Sequence, residues 1–269
     1  MNKIRVMNEL LSNKIAAGEV VEKVVSIVKE LVENSVDAKA TSIKVDLKEA
    51  GIREIVVTDN GIGMSREDAP LAFQRHATSK LYTDDDLWNI SSLGFRGEAL
   101  PSIAAVSDVV LKTCEGEVGT MVHIKGGKIE KVTSSEARVG TQITVTSMFY
   151  NTPARLKHLR SPYAELANVV EYVNKMALSY PSIKFRLTND DKEILNTDGS
   201  GNQLKVIKSI YGLDVAKRML EINNANDDYE LTGYISLPEV TRASRNHMTI
   251  LVNNRVIKNQ YLNKIINDA

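Results

Sequence analysis

The stretch Val24 to Ala38, VVSIVKELVENSVDA, constrains the fold more than any other part of the chain. At about 100° per residue, Val24, Val25, Ile27, Val28, Leu31, Val32 and Val36 fall on one half of a helix, and Lys29, Glu30, Glu33, Asn34 and Asp37 on the other. Such a helix must lay its apolar half against a sheet or other helices and leave the acidic half open. Glu30, Asn34 and Asp37, at i, i+4 and i+7, then line one edge with a carboxylate, an amide oxygen and a second carboxylate. That edge can hold a water and a metal ion side by side, although a solvated helix face carries the same spacing by chance.

With 269 residues the chain has room for one large domain, or one domain and part of another. Lys and Arg total 34 and Asp and Glu also total 34, so any nucleic-acid contact must be regional rather than a global basic coat. The single cysteine, Cys114, excludes an intramolecular disulfide and a cysteine-based zinc site, and fits a reducing compartment. The N-terminus lacks an uninterrupted apolar core behind a basic start, and no apolar run is long enough to span a bilayer. A soluble, cytoplasmic protein without membrane contact is expected.

Taken in order, residues 8–21 predict a short helical segment feeding the amphipathic helix, after which Ile43, Val45 and Leu47 alternate with polar residues. A turn at Ala50-Gly51 leads to a buried run at Ile55, Val56 and Val57, completing a hairpin. Its second strand ends in Asp59-Asn60-Gly61-Ile62-Gly63-Met64. Read alone, that is a turn. The functional reading is that Asp59 accepts a hydrogen bond from an exocyclic amine such as that of adenine, and rejects a base presenting a carbonyl there.

Arg75-His76-Ala77-Thr78-Ser79-Lys80 and Leu93-Gly94-Phe95-Arg96-Gly97-Glu98-Ala99-Leu100 flank a polar stretch. Backbone N–H groups at the second of these, a loop opening a helix, can converge on an anion, with Lys80 and Arg96 neutralising phosphate charge. A surface lid with a glycine hinge fits the same residues. There is no GxxxxGK[ST], so a nucleotide bound here is not held by a P-loop.

From Asp108 the pattern is β, with strands predicted at residues 109–113, 120–125, 129–132 and 141–146. Together these predict an α+β fold, a predominantly antiparallel sheet with amphipathic helices on one face. A helix at about 164–178 and a strand at 183–187 follow. Asp198-Gly199-Ser200-Gly201-Asn202 is the best linker, dividing residues 1–198 from a second α+β unit, 199–269, with a helix near 204–211, strands near 229–237 and 248–252, and a helix near 261–266.

The order Glu30-x-x-x-Asn34, Asp59-x-Gly61-x-Gly63, Gly94-Phe95-Arg96-Gly97 and Gly140-Thr141 resembles the four nucleotide-binding motifs of the GHKL ATPases, the superfamily of gyrase, Hsp90, histidine kinases and MutL. Gly94 to Leu100, Arg75 to Lys80 and Asn151-Thr152-Pro153-Ala154-Arg155 are similar to the MutL mismatch-repair branch. The likeness runs from Asn13-Lys14-Ile15-Ala16-Ala17-Gly18-Glu19 to Asn253-Asn254-Arg255.

The resemblance implies a two-layer α/β sandwich of the Bergerat type, followed by part of a domain resembling the ribosomal S5 domain 2-like fold. It implies ATP and Mg²⁺ as cofactors. Glu30 would be the general base orienting the attacking water, Asn34 would bind Mg²⁺, and Asp37, Gly63 and Met64 would belong to the nucleotide site. Asp59 would hold the adenine amine, helped through water by Thr141, and Thr78, Ser79, Lys80 and Gly94, Phe95, Arg96, Gly97, Glu98, Ala99 and Leu100 would wrap the phosphates as a lid.

It also implies an ATP-dependent homodimer with an N-terminal arm, residues 1 to about 20, mobile until nucleotide binds. The implied partners are a MutS-type mismatch-recognition protein and downstream repair factors, at work on the bacterial nucleoid. In the family a lysine from the second domain reaches the γ-phosphate. This chain is expected to end before it, and so to bind ATP but turn it over slowly. A module that binds ATP only as a dimerising ligand, with Glu30 idle, is the alternative.

Departures from the family pattern are Val24 in place of proline, and Lys39 and Asn254 in place of glycine. Two basic groups, Arg155, Lys157, His158 and Arg160, and Arg242, Arg245, Arg255 and Lys258, are candidate DNA contacts. His76, His123, His158 and His247 are too scattered for a zinc site.

Overall fold

Alternation of apolar and polar residues decides which groups the central hairpin covers. In β1 (Ser42–Lys48) Ile43, Val45 and Leu47 are buried, and in β2 (Glu54–Asp59) the buried set is Ile55, Val57 and Asp59. Side chains in a strand alternate with a period of two, so Asp59 must share the covered face with Ile55 and Val57. This places a carboxylate under the helices instead of in water.

The computed structural model describes residues 7, 15, 17, 18, 20–88, 92–240 and 247–268. β3 (Asp108–Cys114), β4 (Gly119–Lys125), β5 (Lys128–Ser135), β6 (Gly140–Thr146), β7 (Lys184–Asn189) and β8 (Lys192–Asn196) complete an eight-stranded sheet in the order β5-β4-β3-β6-β2-β1-β7-β8. Every neighbouring pair is antiparallel except β1 and β7, which run parallel. Thr113 of β3 lies opposite Thr141 of β6, and Thr58 of β2 opposite Gln142. Asp59, Thr141 and Thr113 therefore stand in a row across three strands at one end of the sheet.

The helices are α1 (Val24–Asp37), α2 (Asp68–Leu71), α3 (Ala99–Ala105), α4 (Pro153–His158) and α5 (Pro162–Ser179). Val24, Ile27, Val28, Leu31 and Val32 of α1 join Val169 and Val173 of α5, Ile103 of α3 and the inner residues of the strands in one buried cluster. Burying each such aliphatic side chain contributes roughly 1.5–3 kcal/mol, so the seating of α1 is set mainly by this face.

The start of α1 is fixed from a distance. Lys23, at the N-cap position, makes no side-chain cap. The Val24 N–H instead donates to Oε2 of the fully buried Glu165, 3.3 Å away on α5, and the Arg160 N–H donates to Oε1 of the same carboxylate. A negative charge there also opposes the positive end of the helix dipole. A proline at position 24 has no N–H to give, so this departure from the family pattern supplies a donor that Glu165 uses.

The other two departures also have a backbone signature. Lys39 and Asn254 both adopt φ of +61°, the left-handed region where a glycine carries no Cβ penalty. Lys39 is exposed, and the cation on Asp37 is Lys80.

After β8, Asn202 caps α6 (Gln203–Tyr211) by accepting the Lys205 N–H at 3.0 Å, as Ser, Asn and Asp do at helix starts. α7 (Leu213–Ala216) follows directly. Val206, Ile207 and Ala216 belong to the same buried cluster as α5, so the first core continues past Asp198. Beyond it, β9 (Met219–Ala225) pairs with β10 (Glu230–Ser236), β11 (Ile250–Val252) pairs with β12 (Arg255–Ile257), and α8 (Gln260–Asp268) comes last.

The sequence reading anticipates every strand of the sheet except β8, and it also misses β9 and β12. β8 has only Leu195 buried, β9 buries nothing fully and β12 is three residues long, so none carries the alternation that marks a half-buried strand. Of residues 8–21, only 15, 17, 18, 20 and 21 are described. The first four of these are helical, and Ala17 and Val21 are buried. The expectation of a mobile arm otherwise lies outside the described residues.

Candidate functional site

Asp59 closes the hairpin at 6% exposure. Its Oδ1 accepts the Gly61 N–H at 2.8 Å and the Thr141 N–H at 3.2 Å, and its Oδ2 accepts the Ser35 hydroxyl at 2.8 Å. An ionised carboxylate offers about four acceptor positions. Among the described residues three are filled from within, which leaves one on Oδ2, an acceptor with a fixed direction.

Gly140 makes this approach possible, since at φ of +109° a Cβ there would stand 2.2 Å from the Asp59 carbonyl oxygen. Beside it the Thr141 and Thr113 hydroxyls lie 3.0 Å apart. Thr113 Oγ1 also accepts the Met64 N–H at 2.9 Å, which anchors the loop after β2. The Ile62 N–H donates to the Ala38 carbonyl at 3.0 Å, tying that loop to the end of α1.

Ser35 is the residue that joins the two halves of the site, because Asn34 precedes it on α1. On the acidic edge, the Lys80 ammonium donates to Asn34 Oδ1 at 3.0 Å and to Asp37 Oδ2 at 2.5 Å. The Leu93 and Gly94 N–H groups donate to Asp37 Oδ1 and Oδ2 at 2.9 and 3.2 Å. Both ends of the predicted lid thus reach α1. Glu30, one turn earlier, is partly exposed, with the Lys29 ammonium 3.7 Å from its carboxylate. The arrangement places a buried carboxylate with an open acceptor position, an amide oxygen that accepts from an ammonium and a partly exposed carboxylate along a single helix and its neighbouring strand end.

Comparison with known proteins gives the family. Residues 22–155 match the family described as histidine kinase-, DNA gyrase B- and HSP90-like ATPase, and residues 207–269 match the family described as DNA mismatch repair protein, C-terminal domain. The DNA mismatch repair protein MutL of Lactococcus lactis subsp. cremoris is 53% identical over 268 residues, 99% of this chain and 41% of that protein. MutL of Anoxybacillus flavithermus is 53% identical over 270 residues, 100% of this chain and 44% of that protein. The chain belongs to the MutL family.

It spans less than half the length of these MutL relatives. Among solved structures, the N-terminal domain of a DNA repair protein superposes with a TM-score of 0.80 at 27% identity, covering 95% of this chain and 80% of that one. The Aquifex aeolicus MutL ATPase domain complexed with ADP gives 0.71 at 26% identity, covering 93% and 88%. The fold is the α+β fold of MutL ATPase domains.

The other positions singled out by the MutL resemblance distribute as follows. Glu98 faces the Arg75 and His76 end of the lid, with His76 Nδ1 at 3.1 Å and Arg75 Nε at 3.7 Å. Gly97, at φ of +63°, lies where a Cβ would meet the Ala77 carbonyl oxygen at 2.4 Å, so the two lid motifs are in backbone contact. Thr78 accepts the Lys80 N–H at 3.2 Å within its own turn, and Ser79 is exposed. The Arg96 guanidinium lies over the Phe95 ring at 5.5 Å and is exposed, while Ala99 and Leu100 open α3. Gly63 packs on the Cys114 backbone.

Sequence reading missed Ser35, Thr113 and the Leu93 N–H. Ser35 had a usable signal, being a small polar residue four positions after Leu31 in the buried stripe of α1.

Among the described residues no group of three or more His, Cys, Asp or Glu side chains is arranged to hold a metal by itself. Mg²⁺ needs no such group, since it keeps several waters and takes only one or two protein oxygens beside those of a substrate phosphate. Asn34 Oδ1, which already accepts from an ammonium, is a donor of the right kind.

Two basic candidates for DNA contact are engaged elsewhere. The Arg155 guanidinium packs against Gly18, and Arg255 Nη2 donates to the Ser92 carbonyl of the lid at 2.7 Å. Arg242 and Arg245 lie outside the described residues. Lys157 and His158 are in the last turn of α4 and exposed.

Glu33, next to Asn34, accepts from the Tyr172 hydroxyl at 3.5 Å. Burial pushes its carboxyl up from 4.5 to about 7, with Glu30 and Asp37 adding and Lys29 opposing. The folded chain then holds this proton up to about pH 7, whereas the unfolded chain releases it near 4.5. Stability therefore falls as pH rises between these values and levels off above them. Urea unfolding at pH 5 and pH 8 is expected to show Glu33→Gln losing about 1–2 kcal/mol less than the unsubstituted protein over that interval. Equal losses would place the slope elsewhere.

Proposed function

We propose that this site binds ATP with Mg²⁺ and hydrolyses it slowly, as the ATP-driven dimerisation switch of a mismatch-repair protein. The observation that carries the reading is the single open acceptor on Asp59, held by Ser35, Gly61 and Thr141 next to the helix that presents Asn34. An acceptor so fixed takes an exocyclic amine and leaves a carbonyl facing it unpaired, which favours adenine over guanine. The similarity to a MutL ATPase domain whose structure contains ADP supports the same ligand class.

In this reading Thr141 and Thr113 order a water beside the base, and Gly63 and Met64 form the pocket wall. Asn34 binds Mg²⁺, which supplies neutralisation of phosphate charge. Glu30 orients the attacking water, and the lid, with Thr78, Ser79, Lys80 and the loop from Gly94 to Leu100, encloses the phosphates. Catalysis of this type is mostly positioning and charge stabilisation. The partners are a second copy of the chain, DNA through a regional basic surface, a MutS-type protein and downstream repair factors.

Calorimetric titration tests the ligand directly. With Mg²⁺, a non-hydrolysable ATP analogue is expected to bind at least about 30-fold more tightly than the matching GTP analogue, the discrimination one misplaced buried acceptor provides. Equal affinities, or no heat with either, would overturn the proposal.

A further inference from the structure

Glu165 and Tyr172 stand seven positions apart on α5 and so share one face of it. Glu165, fully buried, accepts the Val24 N–H through Oε2 and the Arg160 N–H through Oε1, each at 3.3 Å. Its carboxylate lies in the first turn of its own helix and at the start of α1, where Lys23 makes no cap, so two helix dipoles favour the charge. Two turns later the Tyr172 hydroxyl donates toward the Lys29 carbonyl oxygen at 3.4 Å and Glu33 Oε1 at 3.5 Å. Between these points Val169 and Val173 share a buried cluster with Ile27, Val28 and Leu31 of α1. Apolar contact is non-directional, whereas the polar contacts select particular atoms of α1 and so decide where along α5 that helix stops.

We propose that Glu165 and Tyr172 are positioning residues for turnover, fixing where the helix that carries Glu30 comes to rest on α5; the role rests on the ATP-hydrolysing reading above. Glu30 follows Lys29 directly and lies inside the fastened stretch from Val24 to Glu33. Both residues act through α1, and a displacement of about 1 Å in a reacting group costs on the order of 100-fold in rate. The other end of α1 is held separately, by the Ser35 hydroxyl on Asp59. A helix released from α5 pivots there, so Glu30 moves more than the groups that receive the base. Loss of either residue therefore slows the chemistry and spares the binding.

Phosphate release at saturating ATP, calorimetry with a non-hydrolysable ATP analogue and urea unfolding of the 269-residue chain test this together. Tyr172→Phe keeps the ring and loses only the hydroxyl, and turnover is expected to fall about threefold with analogue affinity within about twofold. Glu165→Gln is expected to lower turnover about tenfold, because one oxygen becomes an NH₂ that faces an N–H whichever way the amide turns. Val24→Pro removes one of those N–H groups, and Lys23 already has the extended backbone, φ −144° and ψ 168°, that the residue before a proline favours. Val24→Pro combined with Glu165→Gln is therefore expected to bring turnover back to within about threefold of the parent. Should Glu165→Gln fail to fold, Tyr172→Phe decides the matter. Unchanged turnover in Tyr172→Phe and in a folded Glu165→Gln, turnover and affinity falling by the same factor, or a double variant as slow as Glu165→Gln would each overturn the positioning role alone. A parent chain that binds no analogue, or binds it without turnover, would instead remove the hydrolysis reading and this role with it.

Discussion

Asp59→Asn is expected to weaken binding of an ATP analogue by about 100-fold or more while leaving stability within about 1 kcal/mol of the parent. The asymmetry follows from the partners. Oδ1 serves the Gly61 and Thr141 N–H groups, and the amide oxygen of Asn can keep both. Oδ2 faces the Ser35 hydroxyl, and an amide NH₂ placed there can donate to that oxygen instead. Every internal partner is retained, yet the group offered to the ligand changes from acceptor to donor. The exocyclic amine of adenine then meets another donor, while an inosine nucleotide, with a carbonyl at that position, meets a partner it can use. Calorimetry with adenine and inosine nucleotides, alongside urea unfolding, reads both quantities. Unchanged preference for adenine would show that Asp59 does not read the base.

Glu30→Ala is the second large effect. Hydrolysis, followed by phosphate release, is expected to fall by about 10²–10⁴-fold, the usual contribution of a positioned general base, while affinity for the non-hydrolysable analogue stays within about threefold. Glu30 is partly exposed and its neighbour on the same side is Lys29, so its removal leaves the buried stripe of α1 untouched. ATP-dependent dimers of this variant should persist, because the step that ends them is lost. A turnover that does not change would favour the alternative in which ATP is only a dimerising ligand and Glu30 is idle.

The two substitutions divide the site along the line that folding draws. Asp59 sits at the end of a strand whose alternation buries it, and its expected effect is on recognition. Glu30 sits on the open half of a helix, and its expected effect is on chemistry. Ser35 and Asn34, adjacent on α1, are the physical link between them: one touches the Asp59 carboxylate, the other receives the Lys80 ammonium.

Much of this was legible in the letters. The amphipathic pattern of α1, the alternation of β1 and β2 and the glycines at 61, 63, 94, 97 and 140 are local signals, and each corresponds to a feature of the structure. Less legible were β8 and β9, whose exposed residues carry no clear period, and the continuation of the first core into α6 beyond a stretch rich in glycine and serine. Composition marks where a chain can turn, but whether Val206 and Ile207 turn back onto the sheet depends on the surface already there.

The sequence by itself determined that α1 has a buried face and an acidic edge, that Asp59 ends a strand on its covered side, and that a glycine-containing loop, residues 93–100, opens a helix after a polar stretch. These follow from periodicity and from backbone angles that few residues adopt, both of which are properties of short segments. Only the tertiary structure decided that Glu165, 141 residues away, would hold the Val24 N–H, that Ser35 would aim Asp59, and that Asp37 would be taken up by Lys80, Leu93 and Gly94. Such bonds join segments far apart in the chain, and a buried polar group takes whichever partner packing brings within about 3 Å.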